Sequence, residues 1–362
     1  MILYSRQEND LLRQKGPFSF PLYYSKYVEK IAKEWLRDMK RSEKKELERY
    51  KKIFGNRLTY DMTLEEKKMP ITKEVSETLR HRLEKRWYRR LIVINILMIV
   101  VVIALFAHNF SENYNDLKDY GERLQENYEE TLEEPEKELP MEVTALAYGV
   151  FILVAGYIFL YIYYAMYRSN SVRITENNFP EVYHTIEQYA SRLGIKVPKV
   201  YVKQESGVLN AFSTFLFRRQ WILINAEIFE VAYREYHDMD ALNFVIAHEM
   251  SHIYYGHATL HYNLPIWFAM RIPVIGAIAS RTREFSCDRL AQRLTGVDGI
   301  DSMLMLTVDR HLYKMVDKED YLKELRGMKG FFIWFVNMIA DHPIMSKRIP
   351  ALQEGRGSGK VY

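Results

Sequence analysis

The stretch Phe244–His257, FVIAHEMSHIYYGH, places three histidines and a glutamate in an otherwise apolar helical segment. On an α-helix, residues four positions apart differ by only about 40° around the axis, so His248 and His252 project from one face, with Glu249 beside them. This is the pattern H-E-x-x-H, in which two neutral imidazoles bind Zn²⁺ and the glutamate accepts a proton from the water that attacks a peptide carbonyl. Three fixed positions also occur by chance, so the surrounding sequence must decide.

A catalytic zinc ion needs a third protein ligand. His257 is the nearest candidate, but five residues beyond His252 a continued helix rotates it by about 140°, away from the site. We therefore expect His257 and His261 to be structural or surface histidines. The metzincin pattern is excluded, because it requires glycine and histidine where this chain has Tyr255 and Ala258.

A second helix is predicted over Ser280–Gly296, SRTREFSCDRLAQRLTG, with the terminal glycine as its cap. Glu284 and Asp288 are four residues apart and share one face of it. If that face meets the first helix, Glu284 can supply the third ligand and Asp288 can accept a hydrogen bond from a zinc-binding histidine. The spacing fits equally well a helix whose acids form salt bridges with Arg281, Arg283 and Arg289.

The region before the motif helix predicts the remaining fold. NFPEVYHTIEQYASRLGI has apolar residues at helical spacing and a stop at Gly194, and the runs KVPKVYVK, VLNAFSTFLF and QWILIN read as strands. Helices follow to the end of the chain. This order predicts an α+β domain over residues 168–362 that is mostly helical with a small antiparallel sheet.

Two uncharged runs are long enough for membrane spans. Leu91–Ala107, LIVINILMIVVVIALFA, is interrupted only by Asn95, and Thr144–Tyr167 is rich in tyrosine at its exit end. We predict transmembrane helices over residues 91–108 and 144–167, which together form a two-helix transmembrane hairpin.

The flanks of the spans predict their orientation. RHRLEKRWYRR precedes the first span and two arginines follow the second, whereas residues 109–143 are rich in acids. Because basic flanks stay on the cytoplasmic side, we expect an acidic extracytoplasmic loop and a cytoplasmic domain after it. Residues 1–90 are expected to be a charged, largely helical cytoplasmic segment whose charge run is a solvated helix face.

Composition limits the classes of function. The 51 basic residues nearly balance the 47 acidic ones, so no basic field indicates a nucleic-acid partner. Cys287 is the only cysteine, which rules out an intrachain disulfide and suits a reducing compartment.

Four motifs together resemble the HtpX-like and CAAX prenyl protease family of membrane-associated zinc metallopeptidases. They are NAFSTF at Asn210–Phe215, HEMSHIYYGH, SRTREFSCDRLA and DHPIMSKRIPAL, and the resemblance covers about residues 175–355. It implies a zincin-type fold of the gluzincin kind and one Zn²⁺ per chain. By this resemblance the zinc ligands are His248, His252 and Glu284, Glu249 is the catalytic base, and Asp288 supports a ligand.

The resemblance also suggests roles outside the two helices. His342 and Arg348, in the tail motif, are candidate donors to the developing oxyanion or to structural carboxylates. Asn210, Ala211 and Phe212 lie on a strand expected to receive an extended substrate. The family usually has alanine at the position of Cys287, so this thiol is either a small buried apolar group or close enough to touch the metal.

These observations predict a membrane-anchored zinc endopeptidase whose polypeptide substrates are membrane or misfolded proteins. The alternatives are a CAAX-type processing peptidase with one substrate and a membrane-anchored binding protein that no longer cleaves. The apolar segments 264–279 and 330–340 are too short or too interrupted for a crossing, so we expect them to pack inside the domain or to lie against the bilayer.

Overall fold

The computed structural model describes residues 22–112, 141–204, 211–216, 219–234, 236–357 and 359–361, with a few single positions between 114 and 125. The first described helices are α1 (Leu22–Phe54), α2 (Lys73–Leu79), α3 (Glu84–Glu112) and α4 (Met141–Ser169). Next come β1 (Val172–Arg173), α5 (Pro180–Leu193), β2 (Lys199–Lys203), β3 (Ala211–Leu216) and β4 (Arg219–Asn225). The chain continues with α6 (Ala226–Tyr233), α7 (Met239–Tyr255), α8 (Leu260–Asn263), 3₁₀ turns at Leu264–Ile266 and Ala269–Arg271, and α9 (Ile275–Thr295). It ends with α10 (Ile300–Val308), a 3₁₀ turn at Tyr313–Met315, α11 (Lys318–Gly327), α12 (Phe331–Ile339) and α13 (Met345–Glu354).

The sheet has the strand order β1-β2-β4-β3 and is mixed. β1 and β2 are antiparallel, as are β3 and β4, but β2 and β4 are parallel. The expectation of an antiparallel sheet was therefore wrong for this pair. The reason is that β3 and β4 form a hairpin, and β4 takes the place beside β2. The edge strand β3 carries the chain back, so that β4 runs in the same direction as β2.

Helix α7 is central to the domain and is apolar on nearly all sides because it is surrounded. It packs against α5, α6, α9, α10 and β3, and buries Phe244, Ile246 and Met250 in the main core. The helix begins at Asp238, whose carboxylate accepts the Ala241 N–H at 2.9 Å, which satisfies one of the free donors at the helix start. A helix buried in this way needs no polar face.

The segment before the first apolar helix shares the core of the domain. Tyr50 and Phe54 of α1 are 2% and 3% exposed and belong to the same apolar cluster as α7. The Tyr50 hydroxyl donates to the Gly355 carbonyl oxygen at 3.1 Å, near the other end of the chain. The charge run predicted a solvated helix face. Helix α1 also has a buried side, which carries Tyr50 and Phe54.

Within the described residues, two helical stretches are long and apolar enough to cross a membrane, Glu84–His108 of α3 and Ala147–Ser169 of α4. Most of their side chains are exposed. Asn95 is an exception at 3% exposed, because its Oδ1 atom accepts the backbone N–H groups of Phe268 and Ala269 at 2.9 and 3.2 Å. Asn95, the polar residue within the first apolar run, thus connects α3 by hydrogen bonds to the 3₁₀ turns that follow α8.

The two interrupted apolar segments each bury one face and expose aromatic rings on the other. In the first, Ile266 and Ala269 are buried, whereas Trp267 and Phe268 are 45% and 50% exposed. In the second, α12 buries Asn337 and Met338 and exposes the side chains Phe331, Phe332, Trp334 and Phe335. Neither segment forms a helix long enough to cross a bilayer, as expected.

Candidate metal centre

Helices α7 and α9 bring three side chains of the motifs to one point. The Nε2 atoms of His248 and His252 are 3.2 Å apart. The Glu284 carboxylate bridges them, with one oxygen 3.4 Å from His248 Nε2 and the other 3.3 Å from His252 Nε2. Glu284 is buried. Glu284 faces the two histidines of α7, and not the arginines of its own helix as the salt-bridge alternative requires.

The spacing of these atoms matches a zinc site. Ligand atoms that bind a tetrahedral zinc ion at roughly 2.0–2.2 Å lie about 3.3–3.6 Å from one another. The three observed separations, 3.2, 3.3 and 3.4 Å, are close to these values. Two imidazoles and one carboxylate form a common donor set for catalytic zinc, and they leave a fourth coordination position for water or substrate.

Asp288 and Arg348 hold these ligands in place. The Asp288 carboxylate lies 2.9 Å from His248 Nδ1, the ring nitrogen that faces away from Glu284. Arg348 of α13 donates to both Asp288 oxygens at 2.8 and 2.7 Å, and its Nη2 atom is 3.5 Å from a Glu284 oxygen. Arg348 was expected to donate either to the oxyanion or to structural carboxylates. Its contacts are with the carboxylates of Asp288 and Glu284.

The electrostatics of the cluster favour a cation between the histidines. Burial disfavours a protonated His248, but hydrogen bonds to Asp288 and Glu284 outweigh it and raise the pKa of His248 from 6.5 to about 9. Burial also opposes ionisation of Asp288, yet the Arg348 charge lowers the Asp288 pKa to about 2. The pKa of Glu284 lies well below its usual range, because the two histidines more than offset burial.

Glu249 follows His248 on α7 and is 7% exposed. In the described part of the chain its carboxylate makes no ion pair, whereas the other acids of the cluster face a histidine or an arginine. A carboxylate beside the metal ligands with no cationic partner is suited to accept a proton.

His342 is 69% exposed at the side chain, and its Nε2 atom is 3.7 Å from a Glu284 oxygen. It lies between α12 and α13, so that it borders the metal centre from the solvent side. His261 is exposed, and its Nε2 atom lies 3.4 Å from Oγ1 of the neighbouring Thr259, which agrees with a surface histidine.

His257 does not point away from the site, contrary to the helical projection. Helix α7 ends at Gly256, whose φ of 79° turns the chain back, and His257 Nδ1 then lies 3.1 Å from His252 Nδ1. His257 is buried, so it is not a surface histidine. Cys287 is also buried, with Sγ 3.7 Å from His257 Nδ1, and burial raises the pKa of its thiol well above the usual range.

The substrate strand proposed from the sequence is only partly described. Asn210 lies outside the described residues, and for Ala211 and Phe212 the structure gives the backbone. These two residues begin β3, which lies at one edge of the sheet and packs against α7. An edge strand beside the metal centre can pair with an added strand.

The comparison with protein families matches residues 176–356 to peptidase family M48. The chain belongs to this family. It comprises zinc metallopeptidases and includes HtpX-like and CAAX protease members. No curated protein matches the chain. In an M48 peptidase the donor set found here fits the family's zinc, with His248, His252 and Glu284 as the residues that would hold the ion.

Zinc binding should be coupled to release of a proton from His248. Because only the neutral imidazole binds metal, zinc must displace this proton below about pH 9. We expect release of about one proton at about pH 7, and an affinity that rises about tenfold per pH unit and levels off above about pH 9. Calorimetry in buffers of different ionisation enthalpy measures both. An affinity independent of pH between about 7 and 9 would contradict this assignment.

Proposed function

We propose that this protein is a membrane-anchored, zinc-dependent endopeptidase of the zincin type. The observation that carries the proposal is the 3.2–3.4 Å spacing of the His248, His252 and Glu284 donor atoms, with Glu249 beside the two histidines on α7. Membership of family M48 supports peptide-bond hydrolysis.

The chain's own residues supply the proton transfers and the binding of charge. Bound zinc would lower the pKa of a water molecule and polarise the scissile carbonyl. Glu249 accepts the proton that the attacking water loses and delivers it to the leaving amine. His342, at the solvent side of Glu284, can donate a hydrogen bond to the oxyanion that develops on the substrate. Asp288 keeps the His248 ring oriented through Nδ1.

The substrate is proposed to bind as an extended strand along β3. The backbone pairing of β3 with β4 occupies one edge of β3, and α7 packs beside it. A peptide added at the other edge would run across the metal centre and be positioned by main-chain hydrogen bonds at residues such as Asn210, Ala211 and Phe212. Binding through main-chain hydrogen bonds depends little on the side chains of the substrate and therefore suits unfolded polypeptides of varied sequence.

Membrane or misfolded proteins are the proposed substrate class. The metal centre borders α12, a helix with exposed aromatic rings that ends at Ile339, three residues before His342. The 3₁₀ turns held by Asn95 expose Trp267 and Phe268. Aromatic rings of this kind favour the interface of a bilayer. A CAAX-type processing peptidase with one substrate is the second candidate.

The orientation of the chain is proposed from its charges. Lysines and arginines near the ends of a span favour the cytoplasmic side. The start of α3 exposes Lys85, Arg86, Arg89 and Arg90, and the end of α4 exposes Arg168, which supports a cytoplasmic location for both ends. The catalytic domain would then lie in the cytoplasm directly beneath the bilayer, with residues 109–143 outside.

Replacing Glu249 by Gln separates a peptidase from a binding protein. The variant keeps the side-chain volume but removes the base, so we expect zinc content to stay near one per chain while hydrolysis of an unfolded protein falls by about 10²-fold or more. Elemental analysis and a cleavage assay on the purified full-length protein measure the two quantities.

The matched variant for this test is Glu284→Ala, which removes a proposed ligand and should lose zinc and hydrolysis together. If the parent cleaved no faster than Glu249→Gln, the measured hydrolysis would be a background that does not pass through this site, and a membrane-anchored binding protein would become the better interpretation.

Cysteine labelling tests the orientation. In a Cys287→Ala background, a cysteine replacing Asn127 in the acidic loop should react with a membrane-impermeant thiol reagent in intact cells. A cysteine replacing the exposed Asp320 of α11 should react only after the cells are broken. Cys287 is fully buried and cannot report on either side, so position 320 serves as the reporter for the catalytic domain. The Cys287→Ala background leaves each introduced cysteine as the only thiol of the chain. The reverse labelling pattern would place the catalytic domain outside.

A further inference from the structure

The second ring nitrogen of His252 has a partner that the H-E-x-x-H motif does not contain. His252 faces Glu284 and His248 through Nε2, and its Nδ1 atom lies 3.1 Å from Nδ1 of His257. The rings meet edge to face, at an interplanar angle of 69°. His257 occupies this place because Gly256 ends α7 with a positive φ.

The proton positions in this pair follow from the proposed metal site. A neutral imidazole that binds metal through Nε2 carries its proton on Nδ1. His252 must therefore donate from Nδ1, and Nδ1 of His257 must accept. The remaining proton of a neutral His257 then lies on Nε2, which is 3.2 Å from an oxygen of Glu84. Both hydrogen bonds are satisfied by one set of tautomers.

Glu84 is held firmly at the end of this chain. It is 3% exposed and lies in the first turn of α3, at the base of the first candidate span. Arg80 Nε is 2.9 Å from the same Glu84 oxygen that faces His257, and the Ser286 hydroxyl donates to the other oxygen. Ser286 lies on α9, two residues after Glu284. The carboxylate is therefore fixed relative to both metal-binding helices.

We propose that Glu84 and His257 are positioning residues that orient His252 for zinc through this two-step hydrogen-bond relay. The inference rests on the proposed zinc function. Glu84 lies far before residues 176–356, so part of the support of the metal centre comes from the juxtamembrane segment. His248 and His252 are then each fixed by a buried carboxylate, the first directly by Asp288 and the second by Glu84 through His257.

A different occupant of the same space is a second metal ion. The donor atoms of His252, His257 and Cys287 lie within 4.8 Å of one another. The raised pKa of the buried Cys287 thiol disfavours the thiolate that a metal would require. The 3.1 Å contact between the two Nδ1 atoms and the 3.2 Å contact of His257 with Glu84 are those of hydrogen bonds, so the relay places a proton between the two histidine rings.

Two substitutions of His257 separate the steps of the relay. Asn has a polar atom near the position of Nδ1, so His257→Asn keeps an acceptor for His252 but loses the link to Glu84. Gln has one near the position of Nε2, so His257→Gln keeps the link to Glu84 but removes the acceptor for His252. Zinc affinity of the purified full-length protein is measured by competition with a chelator, and apparent melting temperature is measured without metal.

We expect His257→Gln to weaken zinc binding by about 10- to 100-fold and His257→Asn to weaken it less, as for other residues that support metal ligands. Without metal, His257→Asn should lower the melting temperature more than His257→Gln does, because His257→Asn breaks the buried contact with Glu84. A merely structural role for His257 predicts the same order in both measurements, and that result would overturn the relay.

Glu84→Gln tests the far end of the relay. It should weaken zinc binding in the parent but have no further effect in His257→Asn, where the link is already broken. Equal effects in both backgrounds would show that Glu84 acts independently of His257 and would contradict the relay.

Two control variants accompany these measurements. His81 is a buried histidine of the same segment whose Nε2 atom bonds the Gly359 carbonyl oxygen at 3.0 Å. His81→Asn removes this bond, so it should lower the melting temperature without changing zinc affinity. Cys287→Ala should leave both zinc affinity and stoichiometry unchanged. A parent stoichiometry of two that falls to one in Cys287→Ala would establish the second metal ion in place of the relay.

The relay and the proposed function fail in different ways. A parent protein that binds no zinc would overturn both. A parent that binds zinc and cleaves peptides, but whose His257→Gln variant binds zinc equally well, would overturn the relay alone.

Discussion

The contact between α7 and α9 is the constraint on which the rest of the site depends, because it buries two carboxylates against two histidines. Glu284 and Asp288 are 5% and 2% exposed, and a buried carboxylate is costly unless a cation or hydrogen-bond donors face it. His248 provides such a donor to both of them, and Arg348 arrives from α13 to pair with Asp288. A metal ion between His248, His252 and Glu284 would complete this compensation of charge.

The same principle links distant parts of the chain. Glu84 is as deeply buried as the acids of α9, and its charge is balanced by Arg80 and by hydrogen bonds from His257 and Ser286. The start of the first apolar helix is thereby joined to the helix that carries Glu284. Asn95, further along α3, forms a second connection, because its side-chain oxygen accepts a hydrogen bond from the backbone N–H of Phe268, after α8. Buried hydrogen bonds therefore connect the apolar helix α3 to the metal centre.

Local sequence patterns predicted the elements of the domain because they depend on short-range physics. The spacing of apolar residues and the glycine cap gave α5, which ends at Gly194 with a φ of 63°, and the spacing of Glu284 and Asp288 placed both on one face of α9. The family was also predicted from its motifs, and the family comparison confirms it.

What depends on chain reversal or on long-range contact was not predictable from such patterns. The parallel pairing of β2 with β4 follows from the insertion of β4 beside β2, which no strand pattern records. His257 was projected along a continuing helix, although glycine at position 256 was the available signal that the helix ends there. Glu84 gave no signal at all, because a glutamate within a charged run looks solvated until the fold buries it against His257.

X-ray absorption at the zinc edge of the purified full-length protein tests the central claim most directly, since it reports the atoms bound to the metal without reference to activity. The account predicts a first shell of nitrogen and oxygen at about 2.0–2.1 Å, with the outer-shell scattering of two imidazole rings and no sulfur. A sulfur neighbour at about 2.3 Å would make Cys287 a ligand and contradict the assignment of His248, His252 and Glu284.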